Sequence, residues 1–242
     1  MSGVIYGLGL GPGDPELMSV KAHRLLTGAG HIAFFRKAGR KGQARTLADG
    51  LIPESAIEFA MEYPVTTEIP LSDPRYNEVL SEFYEDCATH LRTLANSGEN
   101  VVVLCEGDPF FYGSFMHLYE RLKESVSVEV VPAITGMSAA WTATGHPITW
   151  GDDVLTVLMG TLSEEDLTRR MTDADALVVM KIGRNFGKIC RALRASGKDD
   201  RAWLVEFAAM PQQKVTRFCD VDEAYAAPYF SIAIVHGQGR RP

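Results

Sequence analysis

The chain has 242 residues, 46% of them hydrophobic and 23% charged, with a formal net charge of −7. That length and balance suit two globular domains with full cores. They argue against a basic nucleic-acid-binding domain, and no apolar run approaches the ~18 residues of a membrane-spanning helix. The cysteines, Cys87, Cys105, Cys190 and Cys219, form no C-x-x-C pair. Neither a zinc site nor a redox pair is expected, and reduced thiols in a cytoplasmic protein are the simplest reading. The histidines form no ligand pattern, so no metal is expected. The opening residues run straight into a strand pattern, with no basic stretch before a long apolar one, so no signal peptide is expected.

Strand-length apolar runs alternate with longer helical patterns, which predicts α/β units with largely parallel strands. The first strand spans 4–9. A helix follows over 15–26, with Asp14 as its N-cap and Pro15 in its first turn. Strands at 31–35 and 57–60 precede a long helix over 73–95, where Val79, Leu80, Phe83, Cys87 and Leu91 recur at helical spacing. Strands at 101–104 and 126–131 flank a helix over 114–122, and a further helix spans 135–144. Gly145-His146-Pro147-Ile148 breaks the pattern, which places the domain boundary between 148 and 149. The second domain then reads as strands at 154–158, 176–181, 202–206, 214–218 and 230–235, with helices over 163–171 and 186–195. Ser163-x-x-Asp166 is a capping box at the first of these helices.

Two glycine-rich loops follow strands. The first is Gly7-Leu8-Gly9-Leu10-Gly11-Pro12-Gly13-Asp14-Pro15, after Val4-Ile5-Tyr6. The second is Glu106-Gly107-Asp108-Pro109-Phe110-Phe111-Tyr112-Gly113-Ser114, after Val101-Val102-Val103-Leu104. Ligands of open α/β sheets bind outside the carboxyl ends of the strands, and glycine lets backbone approach a ligand closely. No register of the first loop fits G-x-G-x-x-G, and no acid lies in 28–35 to take ribose hydroxyls. A phosphate-binding Gly-Lys-Ser/Thr is also absent. A nicotinamide-dependent oxidoreductase is therefore a distant alternative, and a non-catalytic binding protein that keeps these loops is another.

The first loop, with Leu17 and Lys21-Ala22 after it, resembles the opening motif of the tetrapyrrole methylases. The Gly-Asp-Pro loop matches their second motif. Pro132-Ala133-Ile134-Thr135-Gly136-Met137-Ser138 matches their third, with Ala133 where a glycine is usual. Three motifs in order, with weaker matches to the C-terminus, make the resemblance specific and nearly chain-long. Within the family, Cys105 to Phe115 and Tyr63-Pro64-Val65-Thr66 look most like the branch that methylates precorrin-2 at C20. Other branches act on other corrin carbons, on cobalt-factor II or on non-tetrapyrrole substrates.

The resemblance implies two α/β domains of a non-Rossmann type with the active site in the cleft between them. It also implies S-adenosylmethionine as methyl donor, a tetrapyrrole substrate and a homodimer. By the same token Pro12, Gly107, Asp108, Phe111, Thr135, Gly136, Met180 and Ala208 are the expected donor contacts. Read from the residues alone, Asp108 fits a ligand contact or an Asx-turn, and Met180 fits a strand core. Asp14 and Tyr112 are the weak catalytic candidates: Asp14 caps a helix or faces substrate, and Tyr112 bonds substrate or packs in the core. No residue stands out as a base.

The segment 34–45 holds five cations, Arg36, Lys37, Arg40, Lys41 and Arg45, and no acid. Its glycines suggest a mobile loop. A carboxylate-rich tetrapyrrole gives it a function as a basic lid, because arginine pairs carboxylates through two N–H groups. A solvated surface loop is the plainer alternative. Lys181 and Arg184 are lesser substrate-binding candidates.

Overall fold

A computed structural model describes residues 2–65 and 73–241. The chain forms two compact units, Met1–Thr135 and Gly136–Pro242. They part earlier in the sequence than the 148/149 break expected from the Gly-His-Pro signal. Thr66 of the Tyr63–Thr66 motif lies outside the described residues.

In the first unit, strands β1 (Val4–Gly9), β2 (His31–Lys37), β3 (Ile57–Tyr63), β4 (Val101–Cys105) and β5 (Ser127–Val131) form one sheet in the order β3-β2-β4-β1-β5. Every pairing in it is parallel. The strands read as near-continuous apolar runs because both faces are covered. Ile5, Ala33, Val101 and Val103 turn to one face, against helices α3 (Pro74–Asn96) and α4 (Phe115–Leu122). Leu8, Ile32, Phe34, Val102 and Leu104 turn to the other, against α1 (Val20–Thr27) and α2 (Gln43–Leu47). Leu80, Phe83, Cys87 and Leu91 of α3 are core residues or pack on the core, as their spacing predicts.

Two elements differ from expectation. The helix expected over 15–26 is a single turn, Pro15–Leu17, followed by α1. Asp14 Oδ1 accepts from the Glu16 N–H of that turn, Met18 is extended, and Ser19 caps α1 through the Ala22 N–H. Two capping side chains five residues apart in one stretch make two starts, not one. Within the basic segment, β2 runs on to Lys37 and residues from Gln43 form α2, so only 38–42 is loop.

The second unit contains β6 (Leu155–Met159), β7 (Ala176–Met180), β8 (Ala202–Glu206), β9 (Lys214–Arg217) and β10 (Ser231–Val235), in the order β6-β7-β10-β8-β9. The expectation of largely parallel strands fails here. Only β6 and β7 are parallel, and β10 runs antiparallel to both β7 and β8. Only a single 3-10 turn, Phe218–Asp220, and no α-helix lies between β8, β9 and β10, so no crossover helix carries the chain back to restart in parallel. One face is covered by α6 (Glu164–Thr172) and α7 (Phe186–Ala195). The other is covered by α5 (Gly136–Ala143), whose Ala139 and Ala140 lie on Val178, Val205 and Ile234. That packing explains why α5 belongs to this unit. Ser163 caps α6 as expected, accepting from the Asp166 N–H at 3.1 Å.

Candidate functional site

In the first unit β1 lies between β4 and β5, with Gly9 beside Cys105 and Leu8 beside Val131. The loops that leave these strands are therefore neighbours. The Leu10 N–H donates to the Cys105 carbonyl at 2.9 Å, and the Gly107 N–H donates to the Gly11 carbonyl at 2.9 Å. Gly11 and Gly107 have φ of +81° and +61°, where a side chain adds strain. Gly9 sits where all three loops meet. A Cβ there would lie 2.5 Å from the Ala133 Cβ and 2.9 Å from the Gly107 carbonyl oxygen. Ala133 itself is not in the left-handed region, so the turn tolerates alanine where the related motif carries glycine.

Asp108 joins two of the loops. Its Oδ1 accepts from the Phe110 N–H at 2.9 Å and its Oδ2 from the Ala133 N–H at 3.0 Å. The first contact is the Asx-turn; the second ties the Gly-Asp-Pro loop to the Pro-Ala-Ile-Thr turn. Both oxygens are engaged, so Asp108 shapes the loops. Pro12 is a buried residue of the first loop, and Phe111 is half-buried with its ring edge-on to Tyr112 at 4.9 Å. Tyr112 is 46% exposed, which removes the core-packing reading. Thr135 ends this unit, half-buried at the last of the three loops. Asp14 serves as the cap already described.

In the second unit, Met180 ends β7 and is half-buried, and Ala208 is buried just past β8. Ser231 of β10 pairs with Glu206, so the amino end of β10 shares this edge with the carboxyl ends of β7 and β8. Gly136 opens α5 and has room for a Cβ, the Ile232 side chain lying 3.5 Å away.

Among the described residues, four other than glycine take φ between +51° and +59°: Tyr112, Lys181, Phe207 and Ala209. Tyr112 lies in the loop after β4, Lys181 follows β7, and Phe207 and Ala209 flank Ala208. Each costs of order 1–3 kcal/mol, and such strain gathers at functional loops. Nothing in the sequence marks Phe207 or Ala209, because no residue type there favours that conformation.

Glu106 was also missed. It follows directly on β4, and its carboxyl accepts from the Ala44 N–H at the start of α2. Burial pushes that carboxyl up to about 7, against the smaller opposite effect of the Ala44 bond. An acid closing a wholly buried apolar strand was the available signal.

The five basic-segment cations separate into two groups. Arg45 is 18% exposed at its side chain, forks onto Glu58 and reaches Asp49 at 2.6 Å. Arg36 pairs with Glu62 at 3.0 Å, and Lys41 pairs with Asp49. Among the described residues Lys37 and Arg40 pair with no carboxylate, and both are exposed. Lys181 and exposed Arg184 lie together after β7. No cluster of histidine, cysteine or carboxylate residues suited to a metal occurs among the described residues.

A parallel sheet with three interlocked loops at its carboxyl ends, followed by a mixed sheet, defines the class. The family model of the tetrapyrrole (corrin/porphyrin) methylases matches residues 4–224, and the chain belongs to that family. The chain is 46% identical, over the full length of both proteins, to a precorrin-2 C(20)-methyltransferase from Sinorhizobium sp. It is 26% identical to a cobalt-precorrin-2 C(20)-methyltransferase from Salmonella typhimurium, over 98% of each chain. Among solved structures it is similar to uroporphyrin-III C-methyl transferase from Thermus thermophilus complexed with S-adenyl homocysteine. That likeness has a TM-score of 0.68 and 26% identity, over 96% of each chain.

Proposed function

We propose that this protein transfers a methyl group from S-adenosylmethionine to the C20 meso carbon of precorrin-2, giving precorrin-3A in corrin (cobalamin) biosynthesis. The observation that carries the reading is the full-length 46% identity to the Sinorhizobium enzyme. The lower identity, 26%, to the cobalt-precorrin enzyme favours a metal-free substrate.

The loop geometry suits the donor. Glycines at 9, 11 and 107 bring bare backbone to the carboxyl edge of the first sheet, and a Cβ at 9 would close it. In this reading Pro12, Gly107, Phe111, Thr135 and Gly136 contact S-adenosylmethionine. Asp108 holds the loop shape, with lone pairs left for the donor's polar groups. Met180 and Ala208 contribute from the second unit. The donor supplies an electrophilic methyl group. The chain's part is alignment, which is worth ~7–11 kcal/mol when reacting groups are held in place. Tyr112 is exposed and fixed in a strained conformation, so it is a candidate to position substrate. The enzyme is read as a cytoplasmic homodimer.

The basic lid narrows to Lys37 and Arg40, because Arg36, Lys41 and Arg45 are occupied by carboxylates. Arg40→Gln is expected to raise the KM for the tetrapyrrole ~10-fold, the loss of one charge-assisted contact, with S-adenosylhomocysteine affinity unchanged. Arg45→Gln is expected to lower stability. Steady-state kinetics beside thermal melts separates the two effects, and an unchanged KM in Arg40→Gln removes the lid.

The whole reading is tested by anaerobic incubation with precorrin-2 and 13C-methyl S-adenosylmethionine, followed by carbon NMR. Label at C20 is the expected result. Label on another carbon, or transfer to cobalt-factor II alone, moves the protein to another branch.

A further inference from the structure

The second unit holds a cavity at the sheet edge opposite Met180 and Ala208. Val235, the last residue of β10, pairs with Leu177 and Ala202, near the starts of β7 and β8. Just beyond it lies a space of about 300 Å³ whose walls include Trp150, Arg201, Trp203, Arg217, His236 and Arg241.

Two of the arginines lie over indoles. The Arg217 guanidinium carbon is 4.6 Å from the Trp203 ring centroid, and that of Arg241 is 4.7 Å from the Trp150 centroid. Stacking fixes the plane of a guanidinium and leaves its N–H edge open to an acceptor. Among the described residues neither these two nor Arg201 pairs with a carboxylate. Asp153, which lies behind the wall against Gly237 and Gly239, is already used. Its Oδ2 accepts from the Trp150 N–H at 2.8 Å and from the Gly239 N–H at 3.2 Å. A Cβ at Gly237 or Gly239 would collide with that carboxylate, at 2.0 and 2.4 Å from its oxygens. The Gly237 N–H donates to the Ile148 carbonyl at 2.9 Å. The segment that carries Arg241 is thus clamped against the segment that carries Trp150.

His236 adds shape and not charge. Its Nδ1 bonds the Pro147 carbonyl at 3.0 Å, and its Nε2 lies 2.8 Å from the Thr144 hydroxyl. Burial lowers its pKa from 6.5, so it is neutral at pH 7. Three like charges then face one small cavity on a chain whose net charge is −7. Their mutual repulsion is relieved by an anion that accepts from several forks together.

We infer that this cavity binds a small multivalent oxyanion, a di- or tricarboxylate or an inorganic polyphosphate, through Arg201, Arg217 and Arg241. The volume lies at the lower end of small-ligand pockets. Carboxylate and phosphate oxygens both match the guanidinium fork, so the shared chemistry is the claim, and the two sources are separable.

The test uses the full chain, titrated with citrate and, separately, with inorganic tripolyphosphate at constant ionic strength. Calorimetry and tryptophan fluorescence are the readouts, Trp150 and Trp203 being built-in reporters. Saturable binding of either anion is expected, weakened ~10-fold by Arg217→Gln, ~10-fold by Arg241→Gln and ~100-fold by both. Arg217→Lys, which keeps the charge and loses the fork, is expected to fall between wild type and Arg217→Gln. Preference for citrate assigns an organic acid, and preference for tripolyphosphate assigns a phosphate ligand. S-adenosylhomocysteine affinity serves as the folding control and is expected to stay constant. No saturable response to either anion up to about 10 mM, a range that covers weak binding, overturns the inference. So does binding that the folded double variant leaves unchanged.

Discussion

The two units turn their chains sharply at the carboxyl ends of strands in different ways. The first relies mainly on glycine, with Tyr112 the exception: Gly9 gives room, and Gly11 and Gly107 take left-handed backbone. The second forces Lys181, Phe207 and Ala209 into the same region without glycine. A glycine turn is cheap in the folded state and costs entropy on folding. A strained non-glycine turn is held only because its surroundings over-determine it. Here the Phe207 N–H donates to the Phe230 carbonyl at 2.8 Å, and the Ala209 N–H donates to Gln213 Oε1 at 2.8 Å. The first edge is built by composition and the second by context.

The largest effect is expected on the glycine side. Gly9→Ala places a Cβ against Ala133 and the Gly107 carbonyl, and neither is a flexible tip that swings away. Overpacking of this kind costs about 3 kcal/mol, read as a shifted urea midpoint. A melt like wild type would mean that the loops part easily.

This contrast explains how much was legible in the sequence. The first edge was readable because its residues are glycine and proline, whose types state their conformations. The helix α3 was readable from its apolar stripe, and β8 and α7 from their runs. The mixed second sheet was not read, although its signal was there: no α-helical pattern separates the runs at 202–206, 214–218 and 230–235, and such short connections favour antiparallel neighbours. The split at Ser19 needed two competing caps to be weighed. Arg45 looked like Arg40 in sequence, and the pairing of Arg45 with Glu58 of β3 and with Asp49 separates them.

The next effect concerns Glu106 at the glycine edge. Its carboxyl stands at about 7 when folded, above its ordinary 4.5. Below the lower value both folded and unfolded chains hold the proton. Between the two, the unfolded chain releases it and the folded chain keeps it, so stability falls as pH rises and levels off above the folded value. Glu106→Gln keeps an acceptor for the Ala44 N–H and removes the titration. It is expected to be more stable than wild type by about 2 kcal/mol at pH 8, with allowance for partial exposure, and the gap is expected to shrink toward pH 4.5. Parallel urea curves at the two pH values would contradict this.

The smallest effect lies at the second edge. Ala209 has φ +59°, and Ala209→Gly releases about 1 kcal/mol of left-handed strain. A melting temperature ~2–4 °C higher is expected for a chain of this size. A lower one would show that the Ala209 methyl packing outweighs its backbone strain, and the contrast between the edges would weaken.

The central claim is that the interlocked backbone of the first unit is the donor site. Calorimetric titration of S-adenosylhomocysteine into wild type and folded Gly9→Ala protein tests it most directly. Saturable binding to wild type, weakened ~30-fold or more in the variant, is the predicted result. Equal affinity in the two proteins would contradict the claim.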